Sequence, residues 1–127
     1  MHRHCVLILL FTILIPIQGN ACVSGMESID KNIEFVSMEP FKYGEKETLA
    51  LFVRVPMSYK GWEIHQISIE RDDEPYLTIP LRLKDMGNRV SSAAKLPKSL
   101  LQGAEIYIAY GDLKCTQAFK TIKLNPN

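Results

Sequence analysis

From residue 47 onward the apolar positions recur with a period of two. Leu49, Leu51, Val53 and Val55 alternate with Ala50, Phe52 and Arg54. The spacing returns in Leu77, Ile79, Leu81 and Leu83, set against Thr78, Pro80, Arg82 and Lys84. It returns again in Ala104, Ile106, Ile108 and Tyr110, set against Glu105, Tyr107 and Ala109. Successive side chains of a strand point to opposite faces, so this alternation predicts strands with one buried face and one wet face. Residues 62–70 break the rule once. Trp62 and Ile64 share one parity and Ile67 and Ile69 the other, and a bulge near His65-Gln66 reconciles them.

Turn-forming residues separate the apolar runs: Tyr43-Gly44-Glu45-Lys46, Tyr59-Lys60-Gly61, Arg71-Asp72-Asp73-Glu74-Pro75, Asp85-Met86-Gly87-Asn88 and Tyr110-Gly111-Asp112. The last suits a tight hairpin with Gly111 and Asp112 at its centre. Pro97 to Gly103 is the one helical stretch, opened by proline, closed by glycine and about a single turn long. The strands predicted are 32–40, 47–56, 62–71, 76–84, 89–96, 104–110 and 113–124. About seven short antiparallel strands predict an all-β, two-sheet sandwich of immunoglobulin-like architecture. Trp62 opens the third strand, as in such sandwiches, but the second strand has no cysteine to pair across the sheets. The likeness is to the architecture and to no family, and a small closed barrel is the alternative.

Ahead of these strands the pattern changes. Residues 5–17 (CVLILLFTILIPI) are apolar throughout, preceded by His2, Arg3 and His4 and followed by Gln18-Gly19-Asn20-Ala21. A basic opening, an apolar run and small residues at a cleavage site make a secretory signal peptide, and the run is too short to span a bilayer comfortably. The expected organisation is a signal peptide over 1–21 and a single β-sandwich domain over 22–127, secreted or periplasmic, with no membrane span in the mature chain.

Export changes the reading of the cysteines. Cys5 leaves with the signal, so Cys22 and Cys115 remain as an even pair in an oxidising compartment, which predicts a disulfide. Closing so long a loop is worth about 4–5 kcal/mol in the chain-entropy model. Acylation of Cys22, with a lipid anchor, is a second reading. Gly19 stands three positions upstream, where such sites usually carry a large aliphatic residue. Free thiols are the third.

Charge excludes more than it suggests. Of 15 Lys and Arg, Arg3 departs with the signal, leaving as many cations as the 14 Asp and Glu. A balanced chain has no electrostatic footprint for nucleic acid or an anionic membrane. Motifs for a nucleophile, a phosphate loop or an HExxH zinc site are absent. His65 is the only histidine left, mid-strand and with no catalytic partner in sight. Glu70, Asp72, Asp73 and Glu74 match no calcium-loop pattern and read as a solvated turn. Met26, Met38, Met57 and Met86 stand singly, without copper-carrier spacing. No catalytic residue, metal ligand or cofactor is expected.

The aromatic residues give the remaining candidates. Trp62 is expected in the core. Phe41, Tyr43 and Tyr59 lie beside turns, and Tyr107 has the parity opposite to Ile106 and Ile108. These four are the expected partner-binding residues, because exposed aromatic rings anchor protein partners. Lys95, Lys98, Lys114, Lys120 and Lys123 read as edge-strand charges that prevent sheet-to-sheet aggregation; the alternative is a dipolar surface, with Glu63, Glu70, Asp72, Asp73 and Glu74 opposite, that steers an acidic partner. The expected function is a non-enzymatic module (accessory, inhibitor or adhesion-type) acting on an unidentified extracytoplasmic protein. The alternative is an extracytoplasmic carrier of a metal ion or small ligand.

Overall fold

A computed structural model describes residues 25–43, 46–73, 76–112 and 115–126. Along these residues run β1 (Glu27–Ser28), β2 (Phe35–Tyr43), β3 (Lys46–Pro56), β4 (Ser58–Tyr59), β5 (Trp62–Arg71), β6 (Leu77–Pro80), β7 (Lys84–Asp85) and β8 (Arg89–Pro97). The single helical turn α1 (Lys98–Leu101), β9 (Glu105–Asp112) and β10 (Cys115–Lys123) complete them. Ten strands thus stand where about seven were expected. The three additions are two residues long, and each expected run overlaps one of the others.

Two sheets form a sandwich-like, all-β fold. The first has the order β1-β10-β9-β5-β4, with β6 also on β5; the second has the order β2-β3-β8-β7. The alternation explains the layering. Leu49, Leu51, Val53 and Val55 of β3 are buried, as are Ile67 and Ile69 of β5 and Ile106, Ile108 and Tyr110 of β9, and together they form the core. The pairing of β5 with β9 shifts between Ile64 and Gln66, so the bulge at His65 brings both parities of β5 to the core side. Leu101 of α1 is fully buried and plugs one end of the sandwich.

Four expectations are corrected. Residues 76–84 are not one strand: β6 ends at Pro80, and Lys84–Asp85 pairs with β8 in the other sheet. Ile79, Leu81 and Leu83 stay packed on the core throughout, so the alternation persists while the chain changes sheets. Gly111 and Asp112 lie within β9, where Asp112 pairs with Cys115 and Gly111 with Thr116. Glycine is needed there because a Cβ would stand 2.0 Å from the carbonyl oxygen of Cys115. Trp62 is half-buried at the edge of the core, and among the described residues the fully buried aromatic is Tyr110. Lys120 is no edge charge, since it is buried on the inner face of β10, beyond Ala118.

Candidate functional site

The outer face of the second sheet departs from the polar pattern that a solvated face should show. With Leu49, Leu51, Val53 and Val55 turned inward, the intervening residues of β3 face outward: Thr48, Ala50, Phe52 and Arg54. Strand register extends them into four rungs. Phe35, Arg54, Ser91 and Lys84 make the first, and Ser37, Phe52 and Ala93 the second. Glu39, Ala50 and Lys95 make the third, and Phe41, Thr48 and Pro97 the fourth.

Aromatic rings and cations are interleaved on this ladder. Phe35 is 55% exposed and meets Phe52 edge-on, with ring centroids 6.4 Å apart and planes at 69°. The Arg54 guanidinium lies 5.3 Å from the centre of the Phe52 ring, and Lys95 Nζ lies 4.0 Å from that of Phe41. Cations are drawn to ring faces by the aromatic quadrupole, so both side chains lie down on the sheet. The small residues Ser37, Ala50 and Ala93 leave an open depression of about 570 Å³ between the Phe35–Phe52 pair and Lys95. A second depression, of about 720 Å³, shares Phe52 and Ala93 and continues to Arg54, Arg82, Lys84 and Asp85.

The four aromatic residues singled out from sequence do not converge. Phe41 lies on this face, beneath Lys95. Tyr107 lies on the outer face of the first sheet, stacked on Phe119 with centroids 6.0 Å apart and planes at 27°. Tyr59 is half-buried at one end of the core, its ring 5.9 Å from Tyr110 and its hydroxyl donating to Glu27 Oε1 at 3.3 Å. Tyr43 ends β2 opposite Lys46, and its side chain lies outside what is described. Sequence reasoning missed Phe35, Phe52, Arg54 and Lys95 as a group. The signal available was Phe52, a large ring in an outward parity position.

The other candidate groups are engaged in packing or pairing. His65 is half-buried, and its Nε2 is 3.0 Å from Thr116 Oγ1. It borders a depression of about 630 Å³ with Trp62, Ile64 and Gly111. In the acidic turn, Arg71 donates to both carboxylate oxygens of Asp73 at 3.0 and 2.8 Å, and this fork holds the Asp73 carboxyl below its usual range. Among the described residues no group of three or more His, Cys, Asp or Glu can hold a metal. No described helix is long and apolar enough to cross a membrane. Cys115 opens β10, whereas Cys22 and the expected signal segment lie outside the described residues.

Comparison with protein-family models, with curated proteins and with solved structures finds no match to this chain.

Proposed function

We propose that residues 22–127 are an exported, immunoglobulin-like, non-enzymatic domain, stapled by Cys22–Cys115, that binds another extracytoplasmic protein through the outer face of its second sheet. One observation carries the reading: exposed Phe35 and half-buried Phe52 pair on the outer face of the second sheet, which no other described strand or helix covers, with Arg54 laid over Phe52. Aromatic residues and arginine are enriched among the residues that dominate interface energetics. Rigid rings, already held by ring–ring and cation–ring contacts, lose little conformational freedom when a partner covers them.

The strand order supports the architectural part. Taken in chain order, the longer strands correspond to A and B (β2, β3), C (β5), E (β8), F (β9) and G (β10) of an immunoglobulin-like sandwich. Short β7 beside β8 takes the place of D, and β6 beside β5 that of C′. The departure is the missing disulfide between B and F, because β3 has no cysteine.

The test is native mass spectrometry of the exported protein with the wild-type sequence and with Phe52→Ser or Tyr107→Ser. A co-purifying protein lost with Phe52→Ser and kept with Tyr107→Ser is the expected result. A partner lost only with Tyr107→Ser would move the site to the first sheet. A bound metal or small molecule in place of a protein would overturn the reading in favour of a carrier.

A further inference from the structure

The partner's chemistry follows from the charges on the four rungs. Arg54, Lys84 and Lys95 bring three positive charges to them and Glu39 one negative charge. Glu39 lines the same depression as Lys95, whose ammonium reaches the Phe41 ring on β2, and Asp85 lines the neighbouring one with Arg54, Arg82 and Lys84, so cations outnumber carboxylates across the two depressions. Arg54 and Ala50 are four residues apart on β3, and Lys95 stands opposite Ala50. Phe52 lies midway between them, beside Ala93.

That spacing is the repeat of an extended chain. Four strand residues cover about 13 Å, and residues i, i+2 and i+4 of a strand face the same way. A segment laid along β3 therefore presents three side chains in turn to Arg54, to the Phe52–Ala93 floor and to Lys95. We infer that this face takes an extended acidic segment of a partner protein, with carboxylates at i and i+4 and an apolar residue at i+2. Arg54 is suited to a planar carboxylate through its fork of N–H donors, and Lys95 to a point contact. The apolar side chain at i+2 covers the edge of Phe52 and fills the space above Ala93. This assignment rests on the interaction reading above, and it adds the sign of the charge and the spacing.

The test uses the disulfide-intact mature protein and two fluorescein-labelled peptides. One contains Glu-Ser-Leu-Ser-Glu between neutral flanks, and the other contains Lys-Ser-Leu-Ser-Lys. The expected result is saturable binding of the acidic peptide alone, weakening several-fold as salt rises from about 50 to about 300 mM. Arg54→Glu and Lys95→Glu should each weaken it about tenfold, the scale of one lost charge contact. Arg54→Gln should weaken it less, with far-ultraviolet circular dichroism unchanged in every variant. Equal binding of both peptides, or no binding of either, overturns the acidic assignment. So does binding only to vesicles of anionic phosphatidylglycerol.

Failure here is separable from failure of the broader reading. A native partner that is lost with Phe52→Ser yet indifferent to Arg54→Glu and Lys95→Glu leaves the docking face standing and removes the acidic segment. A partner indifferent to all three removes both.

Discussion

Lys120 and Glu34 form an ion pair 3.0 Å long between the sheets, with 10% and 13% of their side chains exposed. Lys120 also donates to the carbonyl of Lys31, and Glu34 Oε2 accepts from the backbone N–H of Ile33 at 2.9 Å. The pair fastens the segment before β2 to the last strand. A nearly buried ion is costly to strand without its partner, whereas an apolar pair of similar volume is tolerated. Lys120→Met alone should lower unfolding free energy by about 3 kcal/mol in urea titrations. Adding Glu34→Leu should restore most of that loss. A single variant as stable as wild type would contradict the assignment.

Gly111 is fixed by proximity. Any side chain there would drive a carbon against the Cys115 carbonyl, which belongs to backbone and cannot swing aside. Gly111→Ala should cost at least about 2 kcal/mol, a value typical of forced core overpacking. Gly87→Ala provides the comparison. A Cβ at Gly87 meets nothing within 4 Å, so only its positive φ of 95° penalises alanine. Thermal melting of the two variants should rank Gly111→Ala as the less stable.

Burial, with the Glu34 carboxylate adding to it, raises the pKa of the Tyr110 phenol well above its ordinary value. The hydroxyl donates to the Pro56 carbonyl at 2.8 Å. Because the folded-state pKa is raised, the folded protein holds the phenolic proton more tightly than the unfolded chain does. The contribution to stability is complete below about pH 10 and is lost as pH rises from there towards the raised value. Tyr110→Phe should lower stability by about 1 kcal/mol at neutral pH, the scale of one buried hydrogen bond. It should also flatten the decline above pH 10, as read by circular dichroism melts across that range.

Pairing of Cys22 with Cys115 has a direct readout. The intact mass of the protein purified without reductant should be two hydrogens below that of the reduced chain, and reduction should lower the melting temperature. The chain-entropy scale for such a loop is about 4–5 kcal/mol. An unchanged mass on reduction would exclude the bond.

The elements readable in advance were those in which one physical rule governed the outcome. Leu49 to Val55 and Ala104 to Tyr110 alternate because one face of each strand is covered, and they appear as β3 and β9. The parity break at His65 was readable for the same reason, as were Pro97 and Gly103 around a single helical turn. Pro80 shows where the rule fails. Alternation reports which side of a strand is covered and is silent on which sheet the strand joins, so the passage from β6 to β7 left no mark. Lys120 was misread because a cation in a strand ordinarily points to water, and the carboxylate that draws it inward is 86 positions away in sequence, at Glu34. The ladder of Phe35, Phe52 and Lys95 depends on the register of three strands, which a turn-by-turn reading does not supply.

Glu27 and Ser28 lie parallel to Ala118 and Phe119, so the first of the described strands docks on the last. Parallel neighbours so distant in sequence cannot form until the intervening chain has collapsed, and the entropy of closing so long a loop opposes them until then. A ribosome delivers β1 first, and its place in the sheet exists only after β10 has been made. β1 therefore cannot settle before β10, and a translation product shortened before Ala118 would leave Ile29 without the seam that buries it.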